Sequence, residues 1–154
     1  MSVRADAESL RRIPLFKDCE AVPLQVLAFA AERQRFAAGS EIIREGKAAM
    51  SAYFILQGVA SLEQGGKRLG QAEPGALLGE LAMLGGSTYS ITATAEEELT
   101  AVRIDQALFQ RVASEYPEFG RAVIKSLSDK LEASVRELEA VRVMLTKARS
   151  FSNL

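Results

Sequence analysis

Hydrophobic and polar positions change their period twice along this chain. Between Val22 and Glu32, apolar Leu24, Leu27, Ala28 and Ala31 recur at spacings of three and four, the pattern of a short amphipathic helix that starts beside Pro23. The segment ahead of it, Glu8 to Phe16, gathers Leu10, Ile13, Leu15 and Phe16 around Pro14 and predicts a helical turn or two, a lid or strap. From Gln34 the period shortens to two. Strand-like runs at 33–36, 41–44, 52–56, 59–63 and 67–70 are separated by Gly39, Gly46, Gly58 and Gly65-Gly66, and further strands follow at 90–95 and 99–104. Seven or eight short strands in about 75 residues is the spacing of a small sandwich or barrel.

Past residue 104 the helical period returns. Asp105 is placed to cap a helix over about 106–114 whose apolar face is Ala107, Leu108, Val112 and Ala113. Pro117 then suits the first turn of another helix, free of Gly and Pro from about Arg121 to Arg149. Within it Ile124, Leu131, Leu138 and Leu145 recur every seven residues, each of the first three followed three residues later by Leu127, Ser134 and Val141. That is an a/d seam with Ser134 as its single polar member. It suits either a stripe packed on its own domain or a parallel two-stranded coiled coil between two copies. The second is preferred, because a small barrel has no face long enough to cover roughly forty ångström of apolar helix at 1.5 Å per residue. The expected organisation is a β-barrel domain with N-terminal helices over 1–116, a dimerisation helix over 117–149 and a tail over 150–154.

Composition narrows the chemistry. The 154 residues are 48% hydrophobic and 25% charged, the make-up of an ordinary globular domain that buries a full core without staples. Lys plus Arg is 19 and Asp plus Glu is 20, so the net charge of -1 gives no bulk field to hold nucleic acid or an anionic membrane. There is no His and one Cys, Cys19, which removes Ser-His-Asp triads, Cys-His pairs, zinc sites and cysteine-ligated clusters. No catalysis and no metal are expected. A single thiol fits a reducing compartment, and Met1 to Arg12 has no apolar block behind its three Arg, so a cytoplasmic protein without signal peptide or membrane span is expected.

The densest signal lies between the strands. Pro74-Gly75-Ala76-Leu77-Leu78-Gly79-Glu80-Leu81-Ala82 places Gly79 at the start of a short helix over 80–84, whose free backbone N–H groups outline a phosphate cradle. This Pro-Gly-x-x-x-Gly-Glu-Leu-Ala pattern resembles the phosphate-binding cassette of cyclic nucleotide-binding domains, as in the catabolite activator and the kinase regulatory subunits. Phe36-x-x-Gly39-x-x-Ile42-Ile43-x-x-Gly46 and Tyr53-Phe54-Ile55-Leu56-x-Gly58-x-Ala60 stand at that family's spacing, and the resemblance runs from about Leu10 to Leu145. It implies a mainly β fold with flanking helices: an eight-stranded jelly-roll β-barrel with N-terminal helices and a long C-terminal helix. It also implies a cyclic nucleotide ligand, with cAMP favoured over cGMP. Glu80 matches the acid that accepts the ribose 2'-hydroxyl, and Gly79, Leu81 and Ala82 the backbone facing the cyclic phosphate. Ser90 matches a residue adding a phosphate contact, Thr92 the position that in some relatives favours guanine, and Ser134 the hydroxyl set against adenine.

One position departs from that pattern. The family's phosphate-neutralising Arg belongs just before Ser90, where this chain has Tyr89, and from Gly79 to Ala101 there are four acids and no base. Arg44, Lys47, Lys67 and Arg68 are candidate substitutes. Tyr89 itself is open to three roles: one neutral hydrogen bond to the ligand, a stacking platform, or a surface residue without a function. Two functions follow. One is a cyclic nucleotide sensor, homodimeric through Ile124, Leu127, Leu131, Leu138, Val141 and Leu145, that signals to a downstream protein. The other is a degenerate member of the fold that binds no nucleotide and acts as a dimerising interaction module. Only 150–154 follow the long helix, so no recognition helix for DNA is expected.

Overall fold

The computed structural model describes residues 3–152, with side chains at 6–129, 135–136 and 138–146. Its eight strands are β1 (Glu32–Phe36), β2 (Glu41–Ile43), β3 (Ser51–Gln57), β4 (Ala60–Gln64), β5 (Lys67–Ala72), β6 (Leu77–Leu78), β7 (Thr92–Ala95) and β8 (Leu99–Asp105). They form two antiparallel sheets, β1-β8-β3-β6 and β2-β7-β4-β5, the double-sheet jelly roll expected from the sequence. β6 falls inside the cassette and was not among the expected strands. Two residues are too few to show a period, and the pairing of Leu77 with Phe54 and Leu78 with Tyr53 creates the strand. At the other end of the cassette, β7 starts at Thr92, two residues later than its apolar run, which leaves Ser90 and Ile91 outside the ladder.

The central strands of the first sheet, β3 and β8, are buried on both faces and read accordingly. In β3, Phe54 and Leu56 face a helical layer while Tyr53 and Ile55 face the space between the sheets. In β8, Val102 and Ile104 join the helical layer, and Leu99 and Ala101 the inter-sheet core. The register sets Phe54 opposite Val102 and Ile55 opposite Ala101, so each layer is continuous across both strands. The helical layer consists of α1 (Val3–Arg11), a 3-10 turn (Pro14–Phe16), α2 (Ala21–Ala30), α4 (Gln106–Glu115) and the first turns of α5 (Pro117–Ser152). Phe16, Phe109 and Phe119 stack at its centre, with ring centroids 6.0 and 5.3 Å apart. The short helix α3 (Glu80–Leu84) belongs to the cassette.

Two sequence expectations change here. Asp105 stands at the N-cap of α4, but its side chain does not cap. Its Oδ1 instead accepts Ser51 Oγ at 2.6 Å and Arg103 Nε at 2.9 Å, a stronger charged partner than a backbone N–H. The long helix starts at Pro117 and continues to Ser152, past the expected stop at 149. Its 36 residues would span about 54 Å at 1.5 Å per residue. Phe119, Val123 and Ser126 are buried and Leu127 packs half-buried on the core, so that member of the seam is used within the domain. Ile124, Leu138, Val141 and Leu145 are 48–70% exposed. Leu131 and Ser134 lie outside the described side chains.

Candidate functional site

The cassette hangs from the middle of β3. Gly75 N–H donates to Ile55 O at 2.8 Å and Ile55 N–H to Ala76 O at 3.0 Å, so β6 leaves the sheet in a fixed direction. Gly79 then turns with φ +76°, left-handed, and serves as N-cap of α3 without a side-chain cap, so the first-turn N–H groups are not consumed by a capping residue. Met83 plugs the far end of α3 into the inter-sheet core at 2% exposure, and Gln106 Nε2 donates to its carbonyl at 2.8 Å. The return segment is pinned to the β2–β3 loop by Ala49 N–H to Ser87 O, Tyr89 N–H to Lys47 O and Gly46 N–H to Tyr89 O, all at 2.9 Å. Backbone hydrogen bonds thus hold the cassette on both sides.

Between the cassette and the second sheet lies an open cavity of about 560 Å³. Gly79, Glu80, Leu81, Ala82, Tyr89 and Ser90 line it, so the structure brings together six of the eight expected site residues. Ile43, Leu62, Leu77, Leu78 and Ile91 supply apolar walls, and Gln71 and Glu73 stand on the rim. Gln71 and Glu73 stand just ahead of the cassette in the chain and were missed by sequence reasoning, because no motif or period marks them as lining residues. Thr92 is not brought in. It does not line the cavity, and its Oγ1 accepts the backbone N–H of Glu45 at 3.0 Å. Ser134, the eighth, lies outside the described side chains.

Tyr89 lines the cavity, but neither as a surface ring nor with a hydroxyl free for a ligand. It is 8% exposed, not a surface residue, and its hydroxyl donates to Ser51 O at 2.6 Å inside the core. Desolvation raises the phenol above its ordinary pKa, so it stays neutral. The ring presses against the cassette from behind, since a Cβ at Gly79 would lie 2.6 Å from Tyr89 Cε1. Its one strong donor is therefore spent on the protein. Arg103, whose charge reaches Tyr89, is bound to Asp105 and Ser51 Oγ and does not line the cavity. Of the candidate substitute cations, Arg44 pairs with Glu41 at 3.9 Å and Arg68 with Glu96 at 3.2 Å, and neither these nor Lys47 or Lys67 lines it. The charged lining residues are Glu73 and Glu80, both acids.

Comparison with known proteins places this architecture. Residues 33–116, just over half of the chain, match the cyclic nucleotide-binding domain family. The chain belongs to that family. Over 138 residues it is 28% identical to the potassium channel KOR1 of Oryza sativa, covering 85% of this chain and 16% of the channel. Over 133 residues it is 27% identical to a cAMP-dependent protein kinase regulatory subunit of Candida albicans, covering 80% of this chain and 29% of the subunit. The chain thus spans less than a third of either curated relative. A solved cyclic nucleotide-binding-like protein from Brucella abortus aligns with TM-score 0.66 and 34% identity, over 71% of this chain and 98% of that one. The family is one of nucleotide-binding domains rather than a catalytic class. No helix among the described residues is long and apolar enough to cross a membrane.

The family implies a cyclic nucleotide, and the cavity meets that ligand unevenly. The ribose end fits, with Glu80 at the head of α3 on the cavity wall and apolar walls beyond it. The phosphate end offers backbone N–H groups and the Ser90 hydroxyl, and no cation among the described residues lines it.

Proposed function

We propose that this chain is a ligand-sensing regulatory module in which an adenine cyclic nucleotide enters the Leu77–Ala82 cavity and its ribose hydroxyl donates to Glu80. The observation that carries this reading is Glu80 itself, set on the cavity wall directly after the left-handed Gly79. cAMP is preferred over cGMP, because Thr92, whose hydroxyl could favour guanine, does not line the cavity. Occupancy is passed on by two copies joined along α5, a role supported by exposed Ile124, Leu138, Val141 and Leu145. The module performs no catalysis, and its buried lone Cys19 suits the reducing cytoplasm. Affinity is low, since losing a bidentate charged contact costs about 2–5 kcal/mol, roughly 30- to several-thousand-fold.

One observation favours a second reading. Tyr89 is built into the core where the family places a cation, so the cavity is also compatible with a fold retained for dimerisation alone. Calorimetric titration with cAMP and cGMP at low salt, with Glu80→Ala alongside, separates the two. Saturable binding that prefers cAMP and disappears in Glu80→Ala supports the sensor. No heat with either nucleotide leaves the interaction module. Light scattering of the wild type and Leu138→Glu tests the α5 contact, with twice the monomer mass expected for the first and the monomer mass for the second.

A further inference from the structure

The mismatch at the phosphate end can be carried one step further. A cyclic nucleotide differs from its parent nucleoside by one negative charge and by the ring closure that bears it. Among the described residues, that charge would meet Glu73 and Glu80 in this cavity and no Lys or Arg. Of the nearby guanidinium groups, Arg68 is hydrogen-bonded to Glu96 and Arg103 to Asp105, while Arg44 makes an exposed 3.9 Å pair with Glu41 and does not line the cavity. The residue at the critical position cannot swing in to help. Tyr89 is buried, uncharged and hydrogen-bonded to Ser51 O, and its ring already supports the back of Gly79. The backbone N–H groups of the five-residue α3 are thus left to offset, for a bound phosphate, the repulsion of the two lining carboxylates.

The remaining features suit an uncharged ligand. The walls are aliphatic, from Ile43, Leu62, Leu77, Leu78, Leu81 and Ile91, and the polar groups at the cavity are acceptors or neutral: Glu73, Glu80, Gln71 and Ser90. A volume of about 560 Å³ lies within the usual range for small-molecule pockets. We infer that the cavity takes an uncharged riboside, a nucleoside, more tightly than the low-affinity cyclic nucleotide, with binding carried by sugar and base and opposed by the phosphate. This rests on the reading that Glu80 receives the ribose hydroxyl.

The test titrates the full chain with adenosine and with cAMP by calorimetry, at 20 mM and at 500 mM NaCl. Adenosine is expected to bind at least tenfold more tightly than cAMP. The salt response gives a second, independent readout. Screening weakens repulsion between exposed charges, so cAMP binding is expected to strengthen about twofold at high salt, where a site with a pairing cation would lose affinity. Ser90 is exposed on the cavity wall, so Ser90→Arg adds a cation without disturbing the packing of Tyr89. It is expected to shift the affinity ratio at least tenfold towards cAMP. Tighter binding of cAMP than of adenosine by the unmodified chain overturns the inference and leaves the proposed sensor standing. A Ser90→Arg variant that binds both ligands in the original ratio also overturns it. Binding of neither ligand by protein with a native circular dichroism spectrum overturns both the inference and the sensor reading.

Discussion

Gly79→Ala is the substitution that most directly tests how the cassette is built. Two separate costs are expected. An L-residue at φ +76° is held left-handed, which costs about 1–2 kcal/mol. The new methyl would also lie 2.6 Å from Tyr89 Cε1 and 3.1 Å from Cδ1, and forcing a ring aside in a packed core costs about 1–3 kcal/mol. Gly75→Ala isolates the first cost, because φ there is +96° and nothing lies within 4 Å of the added Cβ. Tyr89→Leu removes the ring edge and the bond to Ser51 O, and by itself should cost about 2–4 kcal/mol. In the double variant Gly79→Ala/Tyr89→Leu only the left-handed strain persists. The two losses should therefore fall short of additivity by about 1–3 kcal/mol, while Gly75→Ala and Tyr89→Leu should add within about 0.5 kcal/mol. Urea unfolding followed by circular dichroism, with the slope held common, gives all five values. Additive behaviour of Gly79→Ala with Tyr89→Leu, or a Gly79→Ala cost no larger than that of Gly75→Ala, refutes the claim that the Tyr89 ring backs the cassette.

Two further predictions concern the helical layer. Cys19 is 3% exposed, and burial, the larger cause, with Asp18 beside it, raises its thiol to about 11. Between its ordinary value and 11 the folded state holds a proton that the unfolded state releases, so this group lowers stability as pH rises through that window. A disulfide reagent at pH 8 should leave the native thiol unmodified and label it in denaturant, and rapid labelling of the native protein would contradict the burial. Arg33 Nη2 donates to Asp6 Oδ2 at 2.7 Å, and the Asp6 side chain is 8% exposed against 42% for Arg33. Arg33→Ala strands that carboxylate, whose other oxygen already has no hydrogen-bond partner. The expected cost is about 1–3 kcal/mol, discounted for the exposed guanidinium, or a Tm drop of about 3–9 °C. A Tm within about 1 °C of wild type would show that the pair does not anchor α1.

Local residue chemistry fixes much of this protein before any tertiary contact is considered. Glycines between runs of two-residue period mark the hairpins because left-handed turns admit little else, and Gly39, Gly46, Gly58, Gly65 and Gly66 all have positive φ. The helical period after residue 104 is as local, and it yields α4 and α5 within a few residues of their ends. The cassette was legible for the same reason: Gly75, Gly79 and Glu80 act through their own backbone or their place at a helix start. What the sequence could not decide is where side chains distant along the chain meet. β6 exists only because β3 offers it a partner. Asp105 abandons its cap for Ser51, which only the β3–β8 register brings alongside, and for Arg103, two residues back on the same strand. Thr92 accepts from Glu45 N–H and stays off the cavity lining, which Ile43 and Leu62 reach from distant strands. Tyr89 is the sharpest case, because one residue name is consistent with a surface ring, a ligand donor or a core support. Burial against Gly79 and a carbonyl thirty-eight positions away selects the last of these, since a buried hydroxyl must find an acceptor within the fold.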